Sequence, residues 1–220
     1  MSSSPIVVCS SCPAGAEVSG HRVGGYPSSV TDAQWALLEP MLPPPGNRGG
    51  KGDRGEKHCR RAIVDALAYI VRSGAAWAML PAEFPPFQTV YGFYRRLTVV
   101  GVWELINDAL RDRERVRAGR FPSPTAAVMD SQSVQGSDTV GSATRGFDAG
   151  KKVNGRKRHI AVDALGMLLV VVVTAASIQD RDGGLRLAAA VRAKFSTIVL
   201  VWADGHFAGR LIDWAKTVLT

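Results

Sequence analysis

TAAVMD (125–130) and STIVLVWAD (196–204) decide how this chain reads, because each is an apolar run that closes on an aspartate. Short runs rich in β-branched residues predict strands, so Asp130 and Asp204 are expected at strand ends. The two acids stand 74 positions apart (204 − 130), and only tertiary structure can bring them together. Between them lies GKKVNGRKRH (150–159). From Arg145 to Arg158 six cations (Arg145, Lys151, Lys152, Arg156, Lys157, Arg158) accompany one acid, Asp148. Two strand-end carboxylates beside so cationic a segment suit a divalent ion held against phosphate, which points to phosphodiester chemistry on nucleic acid. A single aspartate at a strand end is an ordinary turn residue; the pair and the basic run together carry the reading.

Outward from these strands, PSP (122–124) marks a break, and strands alternating with helices follow it. A strand is expected over Ala126–Ser133, a second over RKRHIAVDA (156–164) and a third over MLLVVVVTAA (167–176). The polar, glycine-rich QGSDTVGSATRGFDAGKK (135–152) between the first two is expected to be mobile without DNA. RDGGLRLAAAVRAKF (181–195) predicts a helix, STIVLVWA (196–203) a central strand and HFAGRLIDWAKTVL (206–219) another helix. The order β-β-β-α-β-α is the beginning of an RNase H-like sheet.

Residues 28–118 read differently. TDAQWALLEPML (31–42) has Thr31 as N-cap and Trp35, Leu38 and Leu42 on one side, until Pro40 and the PPP at 43–45 stop it. HCRRAIVDALAYIVRSG (58–74) carries Ile63, Ala66, Leu67, Ile70 and Val71 at helical spacing and ends on Gly74. Two more helices follow, the first with Val90, Phe93, Tyr94 and Leu97, the second with Val102, Leu105, Ile106, Ala109 and Leu110. RDRER (111–115) reads as the solvated end of the last one. A helix pair around a tight turn can enter a DNA groove, with Arg95 and Arg96 as candidate contacts, or serve only as a packed scaffold. The expected fold class is α+β: a helical domain (28–118), then an incomplete RNase H-like α/β catalytic domain (122–220). Residues 1–27, small and without periodicity, are expected to form a disordered tail. The glycine-rich GNRGGKGDRGEK (46–57) lacks a GxxxxGK[ST] pattern and reads as a basic linker rather than a phosphate cradle.

Composition narrows the class. Among 220 residues, 46% are hydrophobic and the net charge is +8, which fits a globular protein with anionic partners. Three cysteines do not make a disulfide framework. Cys9 and Cys12 form one CxxC; even with His58 and Cys59 nothing supplies the ligand spacing of a zinc site. The longest apolar run, ALGMLLVVVVTAASI (164–178), falls short of the ~20 residues of a membrane helix, and no signal peptide is evident at the N-terminus. A soluble, cytoplasmic, nucleoid-associated protein is expected.

MDSQSV (129–134), RGFDAGKKVNGRKRHIAVDALGMLLVVVVTAASIQDRDG (145–183) and VWADGHFAG (201–209), in this order, resemble the DDE transposases of bacterial insertion sequences, of the insertion-sequence-five type. TDAQWALLEPMLPPP, HCRRAIVDALAYIVRSGAAWAMLPAEFPPFQTVYGFYRRL and GVWELI resemble the N-terminal domain of that family. The likeness covers roughly residues 28–220. It implies that Asp130 and Asp204 are the first two catalytic carboxylates and ligands of Mg²⁺ (or Mn²⁺). It also implies that water cleaves the element's ends and that the freed 3′-OH attacks target DNA. The stretch Lys151–His159 (Lys151, Lys152, Arg156, Lys157, Arg158, His159) would follow the DNA backbone, with Arg145 beside it. Asp163, Asp180 and Asp182 match family positions as structural acids. The implied partners are terminal inverted repeats, target DNA and further copies of the chain, with no membrane.

The family's third carboxylate is a glutamate on a later helix, whereas no glutamate follows Glu114 here. A C-terminally truncated or frameshifted transposase with impaired cleavage is therefore expected. Two other classes stay open: a non-catalytic DNA-binding fragment that competes with the full enzyme, and a nuclease that cuts without joining.

Overall fold

The computed structural model describes residues 25–44, 57–137 and 141–205. The expected linker at 46–57, apart from Lys57, lies outside these residues, as do the CxxC, most of the tail and the helix at 206–219. The chain divides into two compact units, Met1–Ile106 and Asn107–Thr220.

In the first unit, α1 (Asp32–Leu38) begins with a capping box: the Thr31 hydroxyl accepts from Gln34 N–H, and the Gln34 side chain accepts from Thr31 N–H. Pro40 falls in a 3₁₀ turn (Glu39–Met41) that ends the helix. α2 (Arg60–Ser73) stops at Gly74, whose φ of 68° is the left-handed value that glycine adopts without strain. α3 (Phe87–Val99) buries Val90, Phe93 and Leu97, and α2, which packs against it, buries Ile63, Ala66 and Leu67. Two expectations need correction: Val71 is 85% exposed and Tyr94 more than a third exposed, because neither falls on the inward face of its helix. In their stead α2 buries Arg61 and Asp65, which hold the chain ahead of α1. Arg61 pairs with Asp32 (2.6 Å) and donates to Val30 C=O (2.8 Å), while Asp65 accepts from Val30 N–H (2.7 Å).

α4 (Val102–Arg117) spans the division between the units, with Val102 and Ile106 buried in the first. The charged run 111–115 is not a solvated helix end, which corrects the sequence reading. Arg111 and Arg115 are buried in the second unit, one helical turn apart. Arg111 pairs with Asp108 (2.7 Å) and Asp112 (2.8 Å), and its guanidinium lies 4.8 Å over the Phe195 ring. Arg115 pairs with Asp163 and donates to Phe121 C=O (2.8 Å). Leu105, expected inside, is 65% exposed.

The second unit is built on a sheet of five strands: β1 (Ala126–Gln135), β2 (Gly146–Asp148), β3 (Val153–Asp163), β4 (Leu168–Ala175) and β5 (Leu200–Ala203). The order is β2-β3-β1-β5, with β4 also paired to β3. β1 is antiparallel to β3 and parallel to β5. Such a parallel pair needs a crossover, which α5 (Asp180–Lys194) provides between β4 and β5. Leu187, Ala188 and Val191 of α5, with Phe195 and Ile198, close over Ala127, Met129, Ala161 and Leu169. One face of the sheet is thereby covered. The mixed α+β architecture follows the expectation, with two adjustments. Part of the segment expected to be mobile forms β2, whose Asp148 is buried. β5, expected as a central strand, lies at one edge of the sheet among the described residues. Thr197 Oγ1 to Pro124 C=O (2.7 Å) and Val199 N–H to Thr125 C=O (3.0 Å) fix its entry against β1.

Candidate active site

Alternation along β1 sends Ala127 and Met129 into the core beneath α5 and leaves Val128 and Asp130 exposed on the opposite face. Asp130 is the fifth residue of a ten-residue strand rather than its last, because polar Ser131–Gln135 still pair with β3. The parallel partner stops sooner. The register with β5 runs from Ala126↔Leu200 to Met129↔Ala203, and the next residue on each strand is an aspartate. Continued by one residue, this register brings Asp130 and Asp204 to neighbouring positions where β5 leaves the sheet. Both are exposed. Asp130 accepts from Ser131 N–H (2.7 Å).

The basic stretch splits by the same alternation. Ile160 pairs with Asp130, Arg158 with Gln132 and Arg156 with Val134, so the Arg156 and Arg158 side chains lie on the face of Asp130. Arg158 donates to the Gln132 side chain (2.7 Å) and Arg156 to the Thr144 hydroxyl (2.8 Å). With Val134, Gln135, Gly136, Ser137 and Val173 they line a groove of about 260 Å³. Lys157 and His159 lie on the other face, 4% and 0% exposed. Burial removes these two from the solvent-facing set expected from the sequence. Lys151 and Lys152 are exposed, Lys152 in the left-handed region at φ 54°, and Arg145 is half-buried. Arg95 and Arg96 are exposed on α3, in the other unit.

Lys157 is held by an ion network that sequence reading missed. Its ammonium lies 3.0 Å from both Asp148 Oδ2 and Asp180 Oδ1 and donates to Ile178 C=O (3.0 Å). Ser133 donates to Asp148 Oδ2 (2.5 Å) and Ser131 to Asp180 Oδ1 (2.8 Å). The Ser133 hydroxyl is the largest influence on the Asp148 carboxyl and, with backbone N–H of Lys151 and with Lys157, holds it well below the usual range. Burial pushes the Asp180 carboxyl up, but hydrogen bonds from Lys157 and Ser131 outweigh it, and the net shift is downward. For Lys157 the ion pairs likewise outweigh burial, and its pKa rises. The signal was available in GRKRH: Lys157 shares the parity of Ala161 and Asp163 and so falls on the inward face. His159 packs beneath α5, with its Nε2 3.2 Å from the Thr174 hydroxyl, and burial lowers its pKa. A Cβ on Gly183 would sit 2.0 Å from His159 Cε1, so that close packing needs glycine.

A hydrated Mg²⁺ or Mn²⁺ takes hard oxygen ligands and keeps several waters, and two exposed carboxylates, one on β1 and one just past the end of β5, fit that demand. Among the described residues no group of three or more potential metal ligands forms. A cavity of about 500 Å³ lies in the first unit between Lys57–Cys59 and Leu80–Gln88. Its one acid, Glu83, accepts from the Tyr26 hydroxyl, so it offers no comparable chemistry.

A model described as "Putative transposase of IS4/5 family" matches residues 30–107, and one for the transposase DDE domain matches residues 122–219. An insertion element IS402 protein of 16.2 kDa from Burkholderia cepacia is 30% identical over 109 residues, covering 48% of this chain and 72% of the relative. The chain belongs to the DDE transposases of insertion elements. A second relative of this transposase, protein y4sN of Sinorhizobium fredii, is 34% identical over 73 residues, covering 33% of this chain and 55% of the relative. No solved structure gives a significant match. Membership in the family implies DNA binding and an enzyme that cleaves and transfers DNA strands, generally with a divalent metal. Among the described residues, no helix of the transposase is long and apolar enough to cross a membrane.

Proposed function

We propose that the transposase cleaves the ends of its element and transfers them to target DNA with Mg²⁺ (or Mn²⁺) held by Asp130 and Asp204. The observation that carries this is the β1–β5 register, which ends one residue short of both acids. When bound, the ion supplies Lewis-acid stabilisation of the phosphate and lowers the pKa of a water at the site. Asp130 and Asp204 hold that charge at the sheet surface. Arg156 and Arg158, on the same face, hold the backbone of the strand entering the site. Residues 122–220 form the catalytic domain and 28–118 the domain that recognises the ends, where Arg95 and Arg96 meet DNA; the chain acts as a homo-oligomer on DNA in the nucleoid.

A second reading is end binding without cleavage. It rests on the exposed Arg156 and Arg158, which can hold a DNA backbone without any metal. One experiment separates the two. The purified chain is incubated with supercoiled DNA carrying the element's ends and Mg²⁺. Nicking that disappears in Asp130→Asn supports catalysis; tight end binding with no nicking supports the second reading.

A further inference from the structure

The buried Lys157 network has no place in either reading so far, yet it reaches the site from behind. Ser131 follows Asp130 and turns its hydroxyl to the covered face, where it donates to Asp180. The same serine receives the Lys151 ammonium, at its carbonyl (2.9 Å) and its hydroxyl (3.2 Å). Lys151 in turn closes the turn after β2: its own N–H and that of Gly150 both donate to Asp148 Oδ1 (3.1 Å each). Asp148 and Asp180 are the two acids bridged by Lys157. One buried ammonium thus joins the turn that carries Lys151 to the strand that carries Asp130. Of the three N–H groups on an ammonium, Lys151 uses two on Ser131 and retains one.

Resting on the nucleic-acid reading of this site, we infer that Lys157 is a positioning residue. Buried between Asp148 and Asp180, it fixes the Asp148–Lys151 turn so that the exposed Lys151 ammonium is held at Ser131, the residue after Asp130 in the chain, and binds a DNA phosphate from there. Lys157 itself, 4% exposed, does not meet DNA. Its removal acts through Lys151.

The test is a double-mutant cycle on the full-length chain, read as affinity for a short DNA duplex across a salt series. Lys151→Ala is expected to weaken binding roughly three- to tenfold and to flatten the plot of log K against log salt by about 0.9, the contribution of one phosphate contact. Lys157→Met is expected to do the same, and the double variant no more than either alone. A purely structural role would move the melting temperature without changing the salt slope. Because Lys157→Met leaves two buried acids without their cation, Ser131→Ala serves as the second variant. It cuts the hydroxyl link while every charge stays paired, and the same direction of change is expected. The inference is overturned if Lys151→Ala weakens binding while a folded Lys157→Met and Ser131→Ala leave affinity and slope unchanged, or if the cycle is additive. If Lys151→Ala, Arg156→Ala and Arg158→Ala all leave binding intact, the DNA-binding face itself is wrong and both proposals fall.

Discussion

The two faces of β3 carry the same kind of side chain to opposite ends. Arg156 and Arg158 stand on the open face with Asp130, their guanidinium groups braced by Thr144 and Gln132. Lys157 and His159, one residue away in each case, are enclosed beneath α5. In a cluster of cations, the density of charge does not tell which residues stay open to solvent; strand parity does. On the open face a cation keeps its hydration until a phosphate replaces it. On the covered face it must be paired, and Lys157 is paired twice.

This contrast can be broken by substitutions that treat the two faces alike. The largest effect is expected from the open face: Asp130→Asn or Asp204→Asn should remove any Mg²⁺-dependent nicking of end-bearing DNA while the melting temperature changes little. A stability loss matching the loss of nicking would mean that these acids hold the fold. On the covered side, Arg115→Met leaves Asp163 buried without its cation and should cost about 3–5 kcal/mol in urea unfolding. Gly183→Ala forces a methyl against the His159 ring and should cost about 1–3 kcal/mol.

A pH series sharpens the comparison further. The Asp163 and Asp180 carboxyls are both held below their usual range. For each, burial opposes ionisation and is outweighed, at Asp163 by Met167 N–H and Arg115 foremost. Their stabilisation is complete above the unfolded value of about 3.9 and is lost as pH falls from there through the lowered native values. His159 is also shifted down, by burial, so its native form resists protonation while the unfolded form accepts a proton below about 6.5. Stability should therefore begin to fall below about pH 6.5, and Arg115→Met should lessen the acid-limb decline; urea midpoints across the acid range would show both. The smallest effects are expected from Arg156→Ala and Arg158→Ala, each lowering DNA affinity roughly three- to tenfold and flattening the salt slope by about 0.9. An unchanged slope removes that arginine from the interface.

Much of this was legible beforehand. The valine run at 170–173 and the apolar approach to Asp204 announce strands, and Thr31 and Gly74 punctuate helices where their chemistry demands. The neighbouring positions of Asp130 and Asp204 followed from their likeness to a known pattern; periodicity alone gives no register between strands so far apart. Arg111 and Arg115 escaped because RDRER has the composition of a solvated helix end. What buries them is Phe195 and Asp163, whose approach no local pattern encodes. Asp148 escaped for a similar reason. A glycine-rich segment predicts a loop, and here a three-residue strand and a buried lysine capture Asp148.

The β1–β5 register also has a meaning in time. Asp130 emerges from the ribosome long before Asp204, and the first four strands and α5 can pack while β5 is still unmade. Nothing local sets the two acids side by side; the pairing arises only when Leu200–Ala203 closes against Ala126–Met129. The neighbouring placement of the two acids is thus tied to one late, long-range contact.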